Sequence, residues 1–344
     1  MPTCTGVIRQ LPCEHESGFS LVWASLRCIV FTNVMKGLCL LAQEQNTKRN
    51  MEETMGKKYL KRDTEQKLAR LLKNVRDKES LEASGVLVRA KDILVVMDCM
   101  KGIGRLRGQN KKRPLGTGKI VGPQQSAQGF EAISRDPKTG HLFLVIEALE
   151  HGDTYQGKVL ELDASLHPIC TKWLDFDFES DSKGFEGAAV VRHKGDLLLL
   201  ALCEGNHCEG GDEGKDSGHG LIQVFKRKKN SWKHIGKIKL PEEVDFEDYA
   251  DISIRGKHVA IVSQACSALW VGKVDFPSLK ISGKGRVYRF PVDKNGNCIY
   301  CNVEGVDWLT DNRIIVVSDR MKTDDQNGRC ARKDKSIHIM KIPG

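Results

Sequence analysis

Short apolar runs, four to six residues long, recur from one end of the chain to the other in pairs. The clearest pair is Gly184-Phe185-Glu186-Gly187-Ala188-Ala189-Val190-Val191, a charged turn, then Leu197-Leu198-Leu199-Leu200-Ala201 leading to Glu204. Others follow the same plan. They run from Glu82 to Asp98, from Glu131 to Glu147, from Glu247 to Gln264 and from Glu304 to Asp319. Runs this short, bounded by polar turns and glycines, predict strands. The leading glutamates lie 49, 55, 61 and 57 residues apart. A period of that size predicts a radial or stacked repeat.

Further strands complete each unit. Gly157 to Asp163 alternates as a half-buried strand does, and Thr171 to Phe176 supplies a fourth. A degenerate unit is read at His15 to Asn33, with His15 where the others carry glutamate. The expected fold is therefore all-β: a six-bladed β-propeller of four-stranded blades beginning near residues 15, 82, 131, 186, 247 and 304. Residues 5–11 are expected to complete the last blade, which has only three strands of its own, and so to remove a sheet edge. The polar segment 43–62 reads as an insertion, and Leu68 to Val75 as a closing strand. A five-bladed propeller with an extra N-terminal segment is the alternative.

Symmetry places Glu82, Glu131, Glu186, Glu247 and Glu304 in a ring at one mouth of the central channel. The acids and amides ending the second strands, Asn33, Asp98, Glu147, Glu204, Gln264 and Asp319, fall near the same mouth, because an antiparallel second strand ends where the first begins. Clustered carboxylates raise one another's pKa or recruit a hard cation such as Ca2+. The other reading is that each glutamate accepts backbone N–H bonds and ties neighbouring blades together. For catalysis the candidates are Glu186, Glu304 and Asp319, with Arg320 placed to hold an anionic group.

The phrases Gly184-Phe185-Glu186-Gly187-Ala188 and Val303-Glu304-Gly305-Val306, each followed by an apolar strand and an acidic end, resemble the phytase-like and SdiA-regulated-like β-propellers. That resemblance implies six blades and, for the alkaline phytases, calcium-dependent hydrolysis of phosphate esters by the repeated acids. Lactonase-like propellers, with channel acids around one calcium, give a second enzymatic expectation. A propeller that binds a small molecule or protein at its mouth without turnover is the non-enzymatic one.

The net charge of +9, from 54 basic and 45 acidic residues, leaves a mixed surface. The densest basic run, Arg107 to Arg113, reads as a hairpin tip or a nucleic-acid contact; no aromatic residues interleave it for stacking. Cys203, His207, Cys208 and His219 are candidate zinc ligands, although their spacing matches no common signature. The twelve cysteines, including the lone pair Cys298 and Cys301, are expected as thiols. Arg27 and Lys36 interrupt the apolar stretch near the N-terminus, and the acids before it do not suit a signal peptide. A cytoplasmic, membrane-free monomer is expected.

Overall fold

The computed structural model describes residues 58–73, 75, 81–100, 102–108, 115–123, 129–179, 184–320 and 328–344, apart from the Glu147 side chain. The degenerate unit at His15 and residues 5–11 lie outside these. The first described elements are β1 (Lys61–Lys67), a one-turn helix α1 (Leu68–Leu71) and β2 (Leu72–Lys73). Four antiparallel four-strand units follow. Blade I is β3 (Ala83–Arg89), β4 (Asp92–Met97), β5 (Ile103–Gly108) and β6 (Leu115–Val121). Blade II is β7 (Phe130–Arg135), β8 (Leu142–His151), β9 (Thr154–Leu162) and β10 (Pro168–Asp175). Blade III is β11 (Phe185–His193), β12 (Asp196–Cys203), β13 (Leu221–Arg227) and β14 (Trp232–Lys239). Blade IV is β15 (Asp251–Arg255), β16 (His258–Ser263), β17 (Ala268–Asp275) and β18 (Lys280–Arg289). Blade V combines β19 (Val303–Thr310), β20 (Arg313–Ser318) and β21 (Ser336–Lys341) with β1 as its outer strand.

The second strand of every blade is a continuous apolar run because neighbours cover both its faces. Ile93 to Met97, Leu198 to Cys203 and Ile314 to Val317 are all buried. The core is accordingly divided among the seams. One cluster joins blades I and II around Leu94 and Leu144, another joins II and III around Phe143 and Phe225. The third joins III and IV around Leu200 and Trp270, and the fourth joins IV and V around Val262 and Trp308. The fifth joins V back to I: Ile315, Val317 and Ile339 pack with Val86, Val95 and Leu106.

That fifth seam corrects the six-blade expectation. β19 packs directly on β3, so the described residues close a ring of five blades. The approach is backbone on backbone. A Cβ on Gly305 would lie 2.9 Å from the Gly85 Cα. The five-bladed alternative is the one this geometry matches.

Closure also uses a different strand from the one expected. Lys61–Lys67, at the end of the supposed polar insertion, takes the outer place on β21, from Lys61 opposite Lys341 to Lys67 opposite Ser336. It carries almost no apolar side chains, so periodicity could not reveal it. Ion pairs hold it instead: Asp63 with Arg313 at 2.6 Å and Glu65 with Lys333 at 2.5 Å. Glu65 also lies 3.5 Å from the buried His338 ring, and these partners hold its carboxyl below the usual range, His338 foremost. Leu68 to Val75 is not a closing strand. Leu68 and Leu71 turn once as helix to plug the V–I seam, and Leu72 and Lys73 pair in parallel with β6.

Polar staples accompany the apolar seams. The Ser84 hydroxyl donates to Phe130 O across I–II, and Val190 N–H donates to the Ser134 hydroxyl across II–III at 2.8 Å. Asp251 accepts Val306 N–H across IV–V at 2.8 Å. Asp307 accepts Val88 N–H across V–I at 2.6 Å and the Ser253 hydroxyl at 2.5 Å. Tying blades is thus the task of Asp251 and Asp307, deeper in the channel, rather than of the leading glutamates alone.

Candidate acidic mouth and its rim

Four first strands begin with a bulge, and in three of them the extra residue is a glutamate. The register shifts between Phe130 and Ala132, between Phe185 and Gly187, and between Val303 and Gly305, so Glu131, Glu186 and Glu304 are each the extra residue. A bulged residue has no ladder partner, and its side chain is re-aimed. Here all three turn into one cavity of about 270 Å³. Asp98, Glu204 and Asp319, which follow the second strands, enter it from the same end, joined by Asp248, Tyr249, Ala250 and Gln264. Among the described residues the cavity is lined by seven carboxylates and by no lysine or arginine.

Two expected ring members are misplaced, for the same geometric reason. In blade I the bulge falls between Ala83 and Gly85, so Ser84 occupies the glutamate position. Glu82 sits two residues earlier: its carbonyl accepts Asp98 N–H, as the carbonyls of Gly184 and Asn302 accept Glu204 and Asp319 N–H. The Glu82 carboxylate lies on the rim, where the Cys99 thiol donates to it at 3.0 Å, an interaction that pushes Cys99 up to about 12. In blade IV, Asp251 pairs with Val262 as Gly305 pairs with Val317, which puts Ala250 at the glutamate position. Glu247 is exposed away from the cavity, and Asp248 lines it instead, also accepting Ser263 Oγ–H and Ala265 N–H. Aligning the repeats on the small residue after the bulge, rather than on the glutamate, would have found this register. Glu147 holds the place equivalent to Glu204 and Asp319 in backbone register. Arg320 follows Asp319 but does not line the cavity.

The electrostatics follow from crowding in a confined space. Burial pushes the Glu304 carboxyl well up, and Asp319, Glu131, Asp98 and Glu204 push it further. Burial, then Glu82 and Asp98, push Asp319 up to about 7, and its Oδ1 is buried without a hydrogen-bond partner. Asp98 is raised too, by burial and by Glu82. A folded-state pKa above the unfolded one favours the protonated form in the fold. Asp319 therefore contributes stability that is full below about pH 4 and is lost as pH rises through about 7. The metal-free protein is expected to melt at a higher temperature at pH 5.5 than at pH 8. Calorimetric scans in chelator at the two pH values check this, and equal or reversed melting temperatures contradict it.

At the other end of the same strands, a cavity of about 420 Å³ is walled by Val86, Val88, Ile133, Val191, Ile254 and Trp308 with Arg135 among them. Arg192 and Arg255 there pair with Asp136 and Asp311.

The loop leaving the mouth after Glu204 alters the expected zinc set. Cys203 and Cys208 are disulfide-bonded to each other, with Cα atoms 5.1 Å apart, so neither thiolate joins His207 and His219. A second disulfide joins Cys301 to Cys330 across 5.6 Å, which removes Cys301 from the supposed pair with Cys298. Both spans suit a disulfide. The all-thiol expectation is corrected accordingly; Cys99, Cys170, Cys266 and Cys298 are free among the described residues. Such bonds persist in oxidising surroundings, which weighs against the cytoplasmic expectation. Among the described residues no helix is long and apolar enough to cross a membrane. Of the basic run, Arg107 is exposed at the end of β5, and residues 109–114 lie outside the described ones.

No family model matches the chain, and no curated protein sequence matches it significantly. Solved structures do. The PQQ-bound aldose sugar dehydrogenase of Streptomyces coelicolor aligns over 81% of this chain and 98% of its own at 9% identity, with a TM-score of 0.45. The glutaminyl cyclase of Myxococcus xanthus aligns over 83% and 98% at 7% identity, with a TM-score of 0.41. A GH43 β-1,3-galactosidase aligns over 81% and 60% at 12% identity, with a TM-score of 0.46. At these scores the likenesses carry no inference, and the propeller description rests on the strand order and the closed seams.

Proposed function

We propose that the chain is a ligand-binding propeller whose acidic mouth holds a hard divalent cation, calcium foremost. The observation that carries this reading is the lining itself: seven carboxylates converge on one cavity of about 270 Å³. Carboxylates crowded together in this way raise one another's pKa. A dication would neutralise them, and its preference for six to eight oxygen ligands in a flexible shell suits calcium better than magnesium. Glu131, Glu186, Glu304, Asp98, Glu204 and Asp319 are the ligand candidates, with Gln264 as a neutral oxygen.

Binding ranks ahead of phosphate-ester hydrolysis because an anionic substrate needs cationic partners, and none of the described lining residues supplies one. Lactone hydrolysis is a neutral-substrate variant of the same site, in which calcium would polarise the carbonyl and Glu186 or Glu304 would serve as base. Activity assays with and without calcium separate it from simple binding.

At calcium near 100 times its dissociation constant, stabilisation is about 2.7 kcal/mol. For a domain of this size that corresponds to roughly 5–10 °C in melting temperature. A thermal-unfolding titration at pH 7.5 is expected to show that rise with calcium and a smaller one with magnesium. No rise with either cation sinks the proposal.

A further inference from the structure

The geometry points to a second, chemically distinct metal site on the loop between β12 and β13: we propose that His207, Asp216 and His219 bind one Zn2+. Its donors differ from those of the mouth. The His207 Nε2 lies 3.3 Å from Asp216 Oδ2, and the His219 Nδ1 lies 3.4 Å from the same oxygen. All three ligand atoms fall within 4.8 Å of one another. Zinc bonds of about 2.0–2.1 Å at tetrahedral angles hold neighbouring donor atoms about 3.3–3.4 Å apart. The carboxylate oxygen and each imidazole nitrogen already stand at that separation. The two rings stack with centroids 4.3 Å apart and planes 22° from parallel, so both present an edge to Asp216.

The loop is shaped to hold them. Asn206 is fully buried; its Oδ1 accepts His219 N–H at 3.0 Å and the Tyr249 hydroxyl at 3.1 Å. Its Nδ2 donates to Gly214 O and Phe246 O, both at 3.1 Å. His207 N–H donates to His219 O at 3.1 Å, and the Cys203–Cys208 disulfide ties the loop's start to β12. His207 itself sits in the left-handed region at φ +59°, a conformation costly for a non-glycine residue. With this support the two histidines are placed by backbone and core as well as by each other, and His219 Nδ1 also lies 3.2 Å from the Asp216 carbonyl oxygen.

Two imidazoles and one carboxylate are borderline donors, suited to zinc and poor for calcium. His207 and Asp216 line an open cavity of about 530 Å³ with Glu209, Asp212 and Glu213, which leaves room for a fourth ligand. The Glu213 carboxyl beside Glu209 raises it. Either could swing to the metal, or water could complete the tetrahedron. Because the loop leaves the mouth at Glu204, zinc here would fix the rim of the acidic cavity.

The test is titration of the full chain with Zn2+ and with Co2+ as its spectroscopic stand-in. One equivalent should bind, with the intense visible absorption of tetrahedral cobalt. The double variant His207→Gln/His219→Gln should lose at least about 100-fold in zinc affinity, more than loss of an outer-shell partner costs. Both side chains are exposed, so the fold should survive, checked by an unchanged melting temperature in chelator. Asp216→Asn should weaken binding with both histidines in place. Absence of stoichiometric zinc binding, only the weak absorption of six-coordinate cobalt, or a double variant that binds as tightly as the parent overturns the site.

Discussion

Replacing Asp307 by alanine is expected to lower the unfolding free energy by about 3 kcal/mol and the melting temperature by roughly 6–12 °C. One carboxylate here serves three blades. Its Oδ2 accepts Val88 N–H of blade I at 2.6 Å, and its Oδ1 accepts Ser253 Oγ–H of blade IV at 2.5 Å and Trp308 N–H of blade V at 2.8 Å. The hydroxyl can turn elsewhere after truncation, but the two backbone N–H groups cannot. Each buried donor left unsatisfied costs about 1–3 kcal/mol. Part of this is offset, because burial already raises the Asp307 carboxyl and makes its charged form expensive. Asp307→Asn keeps one acceptor and should lose less than half as much. Differential scanning calorimetry of the three proteins decides the matter. An alanine variant melting within 1 °C of the parent would contradict the role assigned to this residue in closing the ring.

The second large effect concerns Glu304. Its carboxyl is held well above the ordinary range by burial and the neighbouring carboxylates, which favours the neutral form in the metal-free mouth. Glutamine imitates that neutral form, and Glu304→Gln should leave the metal-free melting temperature at pH 7 nearly unchanged. Calcium, by contrast, needs the carboxylate. Losing one charge-assisted ligand is worth about 2–3 kcal/mol, which is roughly 30- to 150-fold in affinity. The variant therefore separates two readings that alanine scanning would confuse. A glutamate serving only as a structural cap would change stability and leave cation affinity alone, whereas a ligand does the reverse. Glu247→Gln should do neither, since Glu247 stands outside the cavity.

The strands of four sheets were legible because each second strand is buried on both faces and so reads as an unbroken apolar run, as in Leu197 to Ala201. The closing strand was not legible. Lys61–Lys67 is charged along its length and owes its place to Asp63 and Glu65 meeting Arg313 and Lys333, partners about 250 residues or more away in the sequence. Blade number suffered from the same blindness: the packing of Gly305 on Gly85 that closes the ring of described blades has no local signature. Within the mouth, Glu131, Glu186, Glu304, Asp98, Glu204 and Asp319 were read correctly as convergent. Glu82 and Glu247 were not, because the position that enters the channel is set by pairing with the partner strand, through a bulge in blade I and an unbroken register in blade IV. Asp251 and Asp307 show the converse. They lie on the first strands among apolar neighbours, and only the adjacent blade reveals the N–H groups they accept.

The most direct test of the acidic mouth as a cation site is isothermal titration of calcium into the chelator-treated protein at pH 7, in two buffers of different protonation enthalpy. One calcium per chain should bind with net proton release, since Glu304 and Asp319, whose carboxyls are both raised, must be ionised to coordinate it. Both the affinity and the proton count should fall in Glu304→Gln. No binding heat in either buffer, or calcium uptake that Glu304→Gln leaves unaltered, would contradict it.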